Sequence, residues 1–335
     1  MLGGIYSLEI RNTENTYLTG SYSSSYVSEL MGKLDVLRPY LNRSQLNCLV
    51  KDLQLEGETF DEVKYIQAAC ETAVSASLAS EFPNNFKYED KVNPPKDVDC
   101  SFENLGVRFN VEIKCPDYSK KNAIEDDECF SLGAFGRLSN YEDVFQTLDE
   151  LFNKPEEGKE DADKPLVKQH HMDNKLKDYL ISAHSKFSDN PGENELNVLL
   201  VCCSDQMDIQ KWFFYMYGVQ GLFCEDSFFN TSEYENVDVV VLTNLYHRHH
   251  AYWDKEKLES HWSFSKSFNL IFSNPYRKED KMDCISKLVD SIHNHSNGLA
   301  NYRVAQGLDE LRIVHYVLEE LSSKGLNYFH HASNN

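Results

Sequence analysis

The chain has 335 residues and a formal net charge of −21 at pH 7. A chain of this length can bury a full core as one large domain or two. It contains no run of about 18 apolar residues, which argues against a membrane-spanning helix. Its acidity argues against long-range attraction of nucleic acid, because non-specific affinity comes from Lys and Arg.

The start of the chain predicts helices. Residues 26–55 read as one or two short helices, and 60–81 has a long helical pattern rich in small residues. Glu71 is the only charged residue between Tyr65 and Ser80. A lone carboxylate should not be buried without a partner, so Glu71 either has a partner inside the fold or faces solvent at the edge of the helix.

Three strands are predicted after this helix. The segment FKYEDKV, 86–92, can serve as the first, and apolar residues occupy every second position in 97–103 and 107–115. Residues 104–106, Asn-Leu-Gly, predict the turn between the last two strands. The register must keep the apolar side chains on one face. Its apolar pairs are Phe102 with Phe109, Cys100 with Val111 and Val98 with Ile113.

The other face of this hairpin carries polar pairs, one of which is unfavourable. Asp99 falls opposite Glu112, with Cβ atoms about 5 Å apart. Two unit charges at that distance repel by roughly 3 kcal/mol at an effective dielectric constant near 20. Protonation or a divalent cation removes this repulsion, and Mg²⁺ is typically held by one or two carboxylates. The alternative is a solvated face, where the repulsion falls below about 1 kcal/mol.

The same residues resemble a known family. Asp99, twelve intervening residues and then Glu112-Ile113-Lys114 are similar to the motif of the PD-(D/E)XK nuclease superfamily, which includes many restriction enzymes. That core runs helix, three antiparallel strands, helix, strand, with the aspartate on the second strand and the (D/E)-x-K on the third. The resemblance implies that Asp99 and Glu112 bind the metal and that Lys114 is the lysine of the motif.

Two further assignments depend on this resemblance. In many members a glutamate of the first helix joins the metal site, which implies that role for Glu71. Asp97 is a rival of Asp99 for the first position, because the prolines of the motif, Pro94 and Pro95, stand closer to Asp97.

An insertion separates the third predicted strand from the remaining elements of the core. An acidic insertion near 116–165 contains a predicted helix at 141–152 and the segment KPEEGKEDADKP, whose composition predicts a mobile surface loop. A helical pattern from Gln169 and a buried strand at 195–203 complete the order of the superfamily core. Gln169 stands where that family often places a polar auxiliary residue; a partly exposed side chain in the first turn is the alternative.

These elements predict an α/β fold with a restriction-endonuclease-like mixed sheet core flanked by helices. We expect a helical N-terminal segment at 1–57, the nuclease-like core at 58–250 and a mainly helical C-terminal region at 251–335. Within the last two regions, the sequence predicts a helix at 207–217 and strands at 237–246 and 267–276.

The resemblance implies a Mg²⁺-dependent nuclease, with Mn²⁺ able to substitute, that hydrolyses phosphodiester bonds of DNA. Its catalytic residues are expected to be Asp99, Glu112, Lys114, Glu71 and Gln169. The net charge leaves three explanations open: a local basic patch, a partner protein that supplies affinity for DNA, or a fold that has lost activity. In the last case, the protein is an interaction module that binds through its acidic surface.

Two histidine groups offer a weaker alternative, a zinc-dependent enzyme. They are YHRHHAYW at 246–253 and QHHMD at 169–173, and solvated loops are the favoured interpretation of both. No C-x-x-C pair supports structural zinc.

The cysteines indicate the compartment in which the chain works. Nine cysteines are present, and Cys202 and Cys203 lie in a predicted buried strand. Such residues are typical of the reduced core of an intracellular, cytoplasmic protein. The start of the chain does not read as a secretory signal.

Overall fold

The structure is a computed structural model that describes residues 9–119, 130–132, 141–152, 166–168 and 173–295, apart from 205, 219, 256, 257 and 259. The helices are α1 (Thr16–Thr19), α2 (Ser24–Leu37), α3 (Arg43–Asp52), α4 (Glu62–Glu81), α5 (Tyr141–Phe152), α6 (Asp173–Lys186), α7 (Gln206–Tyr217), α8 (Leu245–His249) and α9 (Met282–Ser291). The strands are β1 (Lys87–Asn93), β2 (Lys96–Asn104), β3 (Val107–Lys114), β4 (Phe130–Leu132), β5 (Leu166–Lys168), β6 (Glu195–Cys202), β7 (Val239–Thr243) and β8 (Asn269–Ser273).

The fold is mixed α/β, built on a six-stranded open sheet in the order β1-β2-β3-β6-β7-β8. The strands β1, β2 and β3 form an antiparallel meander, β3, β6 and β7 are parallel, and β8 is antiparallel to β7. A separate parallel pair joins β4 to β5. From α4 to β6 the order of elements around the large sheet is helix, three antiparallel strands, helix, strand. The outer strand β8 comes from the region 251–335.

The hairpin of β2 and β3 has the predicted register. Phe102 pairs with Phe109 and Cys100 with Val111. The connecting loop has two residues, Leu105 and Gly106, with φ angles of 51° and 73°. Positive φ at both positions matches a type I′ turn, whose twist fits that of the flanking strands. The alternation of apolar residues therefore fixed the pairing correctly over this part of the hairpin.

The turn supplies a first test. Leu105 adopts a left-handed conformation that side chains without a local hydrogen bond rarely take, and its side chain is 54% exposed. Leu105→Asn should therefore raise the free energy of unfolding by about 1 kcal/mol, since Asn-Gly is the preferred pair of this turn. Gly106→Ala should lower it by roughly 1–2 kcal/mol, although the added Cβ has open space around it. Urea unfolding measures both changes, and equal effects of the two variants would contradict the turn assignment.

Both faces of the sheet are covered. Alternate residues of β6 divide between two apolar clusters: Val198 and Leu200 pack with residues of α2, α4 and α9, whereas Leu199 and Val201 pack with residues of α6 and α7. We call these sides the α4 face and the α6 face. The predicted run of small residues lets α4 approach the sheet closely, and its fully buried members are Ala69, Cys70, Ala73, Val74 and Ala76.

The predicted alternation is wrong at Val98. This residue packs on the α6 face, although Cys100 and Phe102 of the same strand pack on the α4 face. The neighbouring strand is irregular at this point, because Glu89 has a φ of 47° and the pairing of β1 with β2 shifts register just beyond it. The backbone of β2 therefore turns at Asp99, between the two parts of the strand.

The strand expected at 237–246 is shorter in the structure: β7 ends at Thr243, and Tyr246 belongs to α8. The helix expected from Gln169 is described from Asp173 onward. Gln169 itself, the segment KPEEGKEDADKP and the part of the C-terminal region beyond 295 lie outside the described residues.

The group YHRHHAYW does not form the solvated loop that the sequence favoured. Its first four residues belong to α8, in which Arg248 and His249 are almost fully buried. The Tyr26 hydroxyl lies 2.8 Å from His249 Nδ1, and burial lowers the pKa of this histidine well below its usual value. Apolar alternation carries no information on such long-range aromatic packing, which brings α2 against α8.

Two expectations about composition can be compared with the described residues. Cys202 and Cys203 are fully buried, as expected for core residues. Within the described ranges, no helix combines the length and the apolar character needed to cross a membrane.

Candidate functional site

The site begins where the pairing of β2 with β3 ends. The last backbone pair is Cys100 with Val111. Beyond it, the backbone N–H of Ile113 donates to Asp99 Oδ2 at 2.5 Å, so a carboxylate takes the place of the next backbone acceptor. The local turn of β2 thereby brings the side chain of Asp99 between the two strands.

Glu112 projects from β3 to the α6 face and is fully buried. Its Oε1 atom lies 2.6 Å from Lys114 Nζ and 2.8 Å from Lys186 Nζ, and Lys186 also donates to Oε2 at 2.9 Å. The side chains of the two lysines are 23% and 24% exposed. A buried carboxylate is therefore held by two cations whose ammonium groups can reach water.

Lys186 is the residue of this group that the sequence did not reveal. It is the last residue of α6, where the negative end of the helix dipole favours a cation. Burial alone would lower the pKa of Lys186, but the charge of Glu112 and its hydrogen bond outweigh burial and raise it. A basic residue at a helix end is common in sequences, so only the packing of α6 on β3 identifies this one.

Glu71 approaches the same region from the α4 face. It is partly buried, and the hydroxyl of Tyr88 donates to its Oε1 atom at 3.5 Å. Burial, followed by the charge of Asp99, raises the pKa of Glu71 to about 8. Of the two alternatives left open by the sequence, the structure therefore supports a side chain directed into the fold.

The three carboxylates interact electrostatically. Burial, followed by the charge of Glu112, raises the pKa of Asp99 to about 7, although the N–H of Ile113 and the two lysines act in the opposite direction. Glu112 also contributes to the raised pKa of Glu71. We refer to Glu71, Asp99 and Glu112 as the carboxylate cluster. Three different elements, α4, β2 and β3, supply its members.

The remaining predicted site residues stand apart from this cluster. Asp97 is partly exposed on β2, and its charge acts on Lys186. Of the two rival aspartates, Asp99 is the one that interacts with both Glu71 and Glu112. Gln169 lies outside the described residues, so its predicted role stays a prediction.

The raised pKa values predict how stability depends on pH. Glu71 and Asp99 titrate in the folded protein above their ordinary values of 4.5 and 3.8. Between those values and about 8 and 7 the folded state holds more protons, so the free energy of unfolding falls as pH rises. Each group contributes a slope of at most about 1.4 kcal/mol per pH unit. Glu71→Gln and Asp99→Asn should each flatten this fall.

Urea unfolding without divalent cations, repeated across this pH range, measures the slopes. Glu103→Gln is the matched control, because Glu103 is an exposed carboxylate on the same hairpin. A wild-type slope that persists in the Glu71→Gln/Asp99→Asn double variant would show that other groups cause it.

The donor chemistry of the cluster fits Mg²⁺, a hard cation that takes oxygen ligands and commonly uses only one or two carboxylates. Among the described residues, Glu71 and Asp99 form no direct ion pair, and Glu112 Oε1 is a buried atom without an aligned hydrogen bond. In the described part of the chain, no three His, Cys, Asp or Glu side chains are arranged to hold a metal ion. Binding by Glu112 therefore requires at least one of its lysines to move.

Comparison with known proteins gives no assignment. No protein-family model, no curated protein and no solved structure matches this chain.

Proposed function

We propose that this protein is a Mg²⁺-dependent phosphodiesterase acting on DNA, built on a PD-(D/E)XK nuclease fold. The observation that carries the proposal is the electrostatic interaction among Glu71, Asp99 and Glu112, which come from three elements, with Lys114 in contact with Glu112. Elevated carboxyl pKa values next to lysines are typical of functional sites, because folding alone does not favour such an arrangement.

The topology also supports this proposal. The elements from α4 to β6 follow the order of the superfamily core, and the three strands after α4 are antiparallel. Asp99 lies on the second of these strands, and Glu112 and Lys114 lie on the third. Glu71 comes from the helix that precedes them.

Each residue has a chemical role in the proposed site. Bound Mg²⁺ would polarise a phosphate oxygen and lower the pKa of a bound water. Asp99 and Glu112 would hold the ion, and Glu71 would add a ligand or orient one. Lys114, once released from Glu112, positions the attacking water or stabilises the charge that develops on the phosphate. Lys186 holds the Glu112 side chain in place.

The test is incubation of the purified protein with plasmid, linear and branched DNA and with RNA, in the presence of Mg²⁺, in the presence of Mn²⁺ and in the presence of a chelator. We expect cleavage that requires the metal. A protein that cleaves none of these substrates at any metal concentration is not the nuclease proposed here. Cleavage of RNA alone would support the proposed metal-dependent chemistry and would identify RNA, not DNA, as the substrate.

A second candidate is an inactive nuclease fold that binds a basic partner protein through its acidic surface. Both oxygens of Glu112 are already occupied by lysines, and the net charge is −21. Thermal melting with and without Mg²⁺ separates the two candidates. A working site relieves the repulsion among the carboxylates and raises the melting temperature at millimolar Mg²⁺, whereas an inactive fold shows no specific shift.

A further inference from the structure

A cleft of about 840 Å³ lies on the outer side of α3. Four cationic side chains line it, against two carboxylates. The cations are Arg11, Arg38, Arg43 and Lys51, and the carboxylates are Glu9 and Glu56. In a chain with a net charge of −21, such a surface stands out from the average electrostatics of the molecule.

Most of this positive charge is not compensated within the described structure. Arg11 lies 3.4 Å from Glu9 and 3.9 Å from Glu56, so both carboxylates of the cleft are paired with one arginine. No described carboxylate forms an ion pair with Arg38, Arg43 or Lys51. Three cations are therefore available to an anionic ligand.

In this cleft, the cationic side chains rather than the N-terminus of α3 are the groups that can bind an anion. At the start of α3, Asn42 and Gln45 form a capping box in which each side chain accepts a backbone N–H of the other. The helix end has thus used these two donors internally. The guanidinium groups of Arg38 and Arg43 still have their N–H donors available. Guanidinium groups bind phosphate in a bidentate manner.

The opposite side of α3 lies against β1 and α4. Gln45 donates to Glu89 Oε2 at 2.8 Å, and the charges of Glu89 and Asp52 both act on Glu71. Arg43, Leu46, Asn47, Val50 and Lys51 line the cleft on the other side of the same helix. The residues of α3 that line the cleft and Asp52, whose charge acts on Glu71, therefore lie on different sides of the same helix.

We propose that the α3 cleft binds the phosphates of a nucleic-acid strand whose cleaved phosphodiester lies at the carboxylate cluster. The inference rests on the function proposed above, and it names the surface by which an acidic protein holds a polyanion. Of the explanations considered for the net charge, it corresponds to a local basic patch formed by residues distant in sequence.

The experiment measures binding without chemistry. Fluorescence polarisation of a labelled single strand and of its duplex, in the presence of a chelator, compares the wild type with Arg43→Glu/Lys51→Glu. Both side chains are exposed, so the fold should be retained, and thermal melting checks this. The matched control is Lys175→Glu/Lys287→Glu, which makes the same change of charge on α6 and α9.

We expect the cleft variant to bind at least about tenfold more weakly and to lose about two units of the slope of log affinity against log salt. The control variant should change affinity less than about twofold. Equal weakening by both variants, or unchanged binding by the cleft variant, overturns the inference. Displacement of the strand by pyrophosphate at equal molar affinity also overturns it, because the cleft would then be a small-anion site.

Glu112→Gln separates this inference from the proposed function. It should retain binding in the chelator and lose cleavage. If the wild type cleaves DNA but its binding does not depend on the cleft, the proposed nuclease function stands. The cleft is then not part of the binding surface. If binding depends on the cleft but the protein cleaves nothing under any condition, the proposed nuclease activity is wrong. The cleft is then a nucleic-acid-binding surface without a cleavage site.

Discussion

Glu112→Gln is expected to reduce metal-dependent cleavage more than about 100-fold, since losing even an outer-shell partner of a metal ligand commonly costs about 10–100-fold. The amide keeps the shape of the side chain but removes the charge that attracts the ion. Glu112 is fully buried on β3, where Lys114 and Lys186 fix the position of its carboxylate. Gel-based cleavage rates at saturating Mn²⁺ measure the effect.

Lys114→Gln should reduce cleavage by about 10²–10³-fold, the usual cost of removing one group that stabilises developing charge. The two variants should differ in their response to metal. Mg²⁺ should still raise the melting temperature of Lys114→Gln, because the carboxylates remain, whereas Glu112→Gln should lose most of the shift.

Two exposed side chains of β2, Glu103 and Lys96, provide matched controls. Glu103→Gln and Lys96→Gln remove the same charges away from the carboxylate cluster and should leave cleavage within about twofold of the wild type. Full activity of both Glu112→Gln and Lys114→Gln would show that the cleavage site lies elsewhere.

How much of this site the sequence predicts depends on how far apart in the chain the interacting residues lie. The pairing of Cys100 with Val111 follows from period-two alternation and a short turn, which are both local in sequence. The role of Glu71 is only partly predictable. Its position in an otherwise uncharged helix indicates that the carboxylate needs a partner but does not identify that partner. The structure supplies that context, with Tyr88 and Asp99 on the neighbouring strands.

Contacts between distant segments were not predictable. Val98 faces the α6 side because of an irregularity in the adjacent strand, and no pattern within β2 records it. The burial of His249 depends on Tyr26, which lies 223 residues away. Lys186 reaches Glu112 only because α6 packs across the sheet after a long insertion. Alternation and helical periodicity report which side of an element is apolar, and they do not report which element covers it.

The ion pairs of Glu112 predict the largest effect on stability. Lys114→Met/Lys186→Met leaves a fully buried carboxylate without a cation and should lower the free energy of unfolding by about 3–5 kcal/mol, the usual cost of breaking a buried pair. Each single lysine variant should lose less, because the other ammonium group stays within 2.8 Å of Oε1. Urea unfolding without divalent cations measures all three.

Glu112→Gln should be mild in the same assay, because both lysines are about a quarter exposed and can be hydrated when the carboxylate is removed. Added to the double lysine variant, Glu112→Gln should restore most of the lost stability, since no buried charge remains. Additive losses in this cycle would show that the lysines stabilise the fold through their packing. A restored fold would establish that the two lysines stabilise the protein by pairing with the Glu112 carboxylate, the group proposed to bind Mg²⁺.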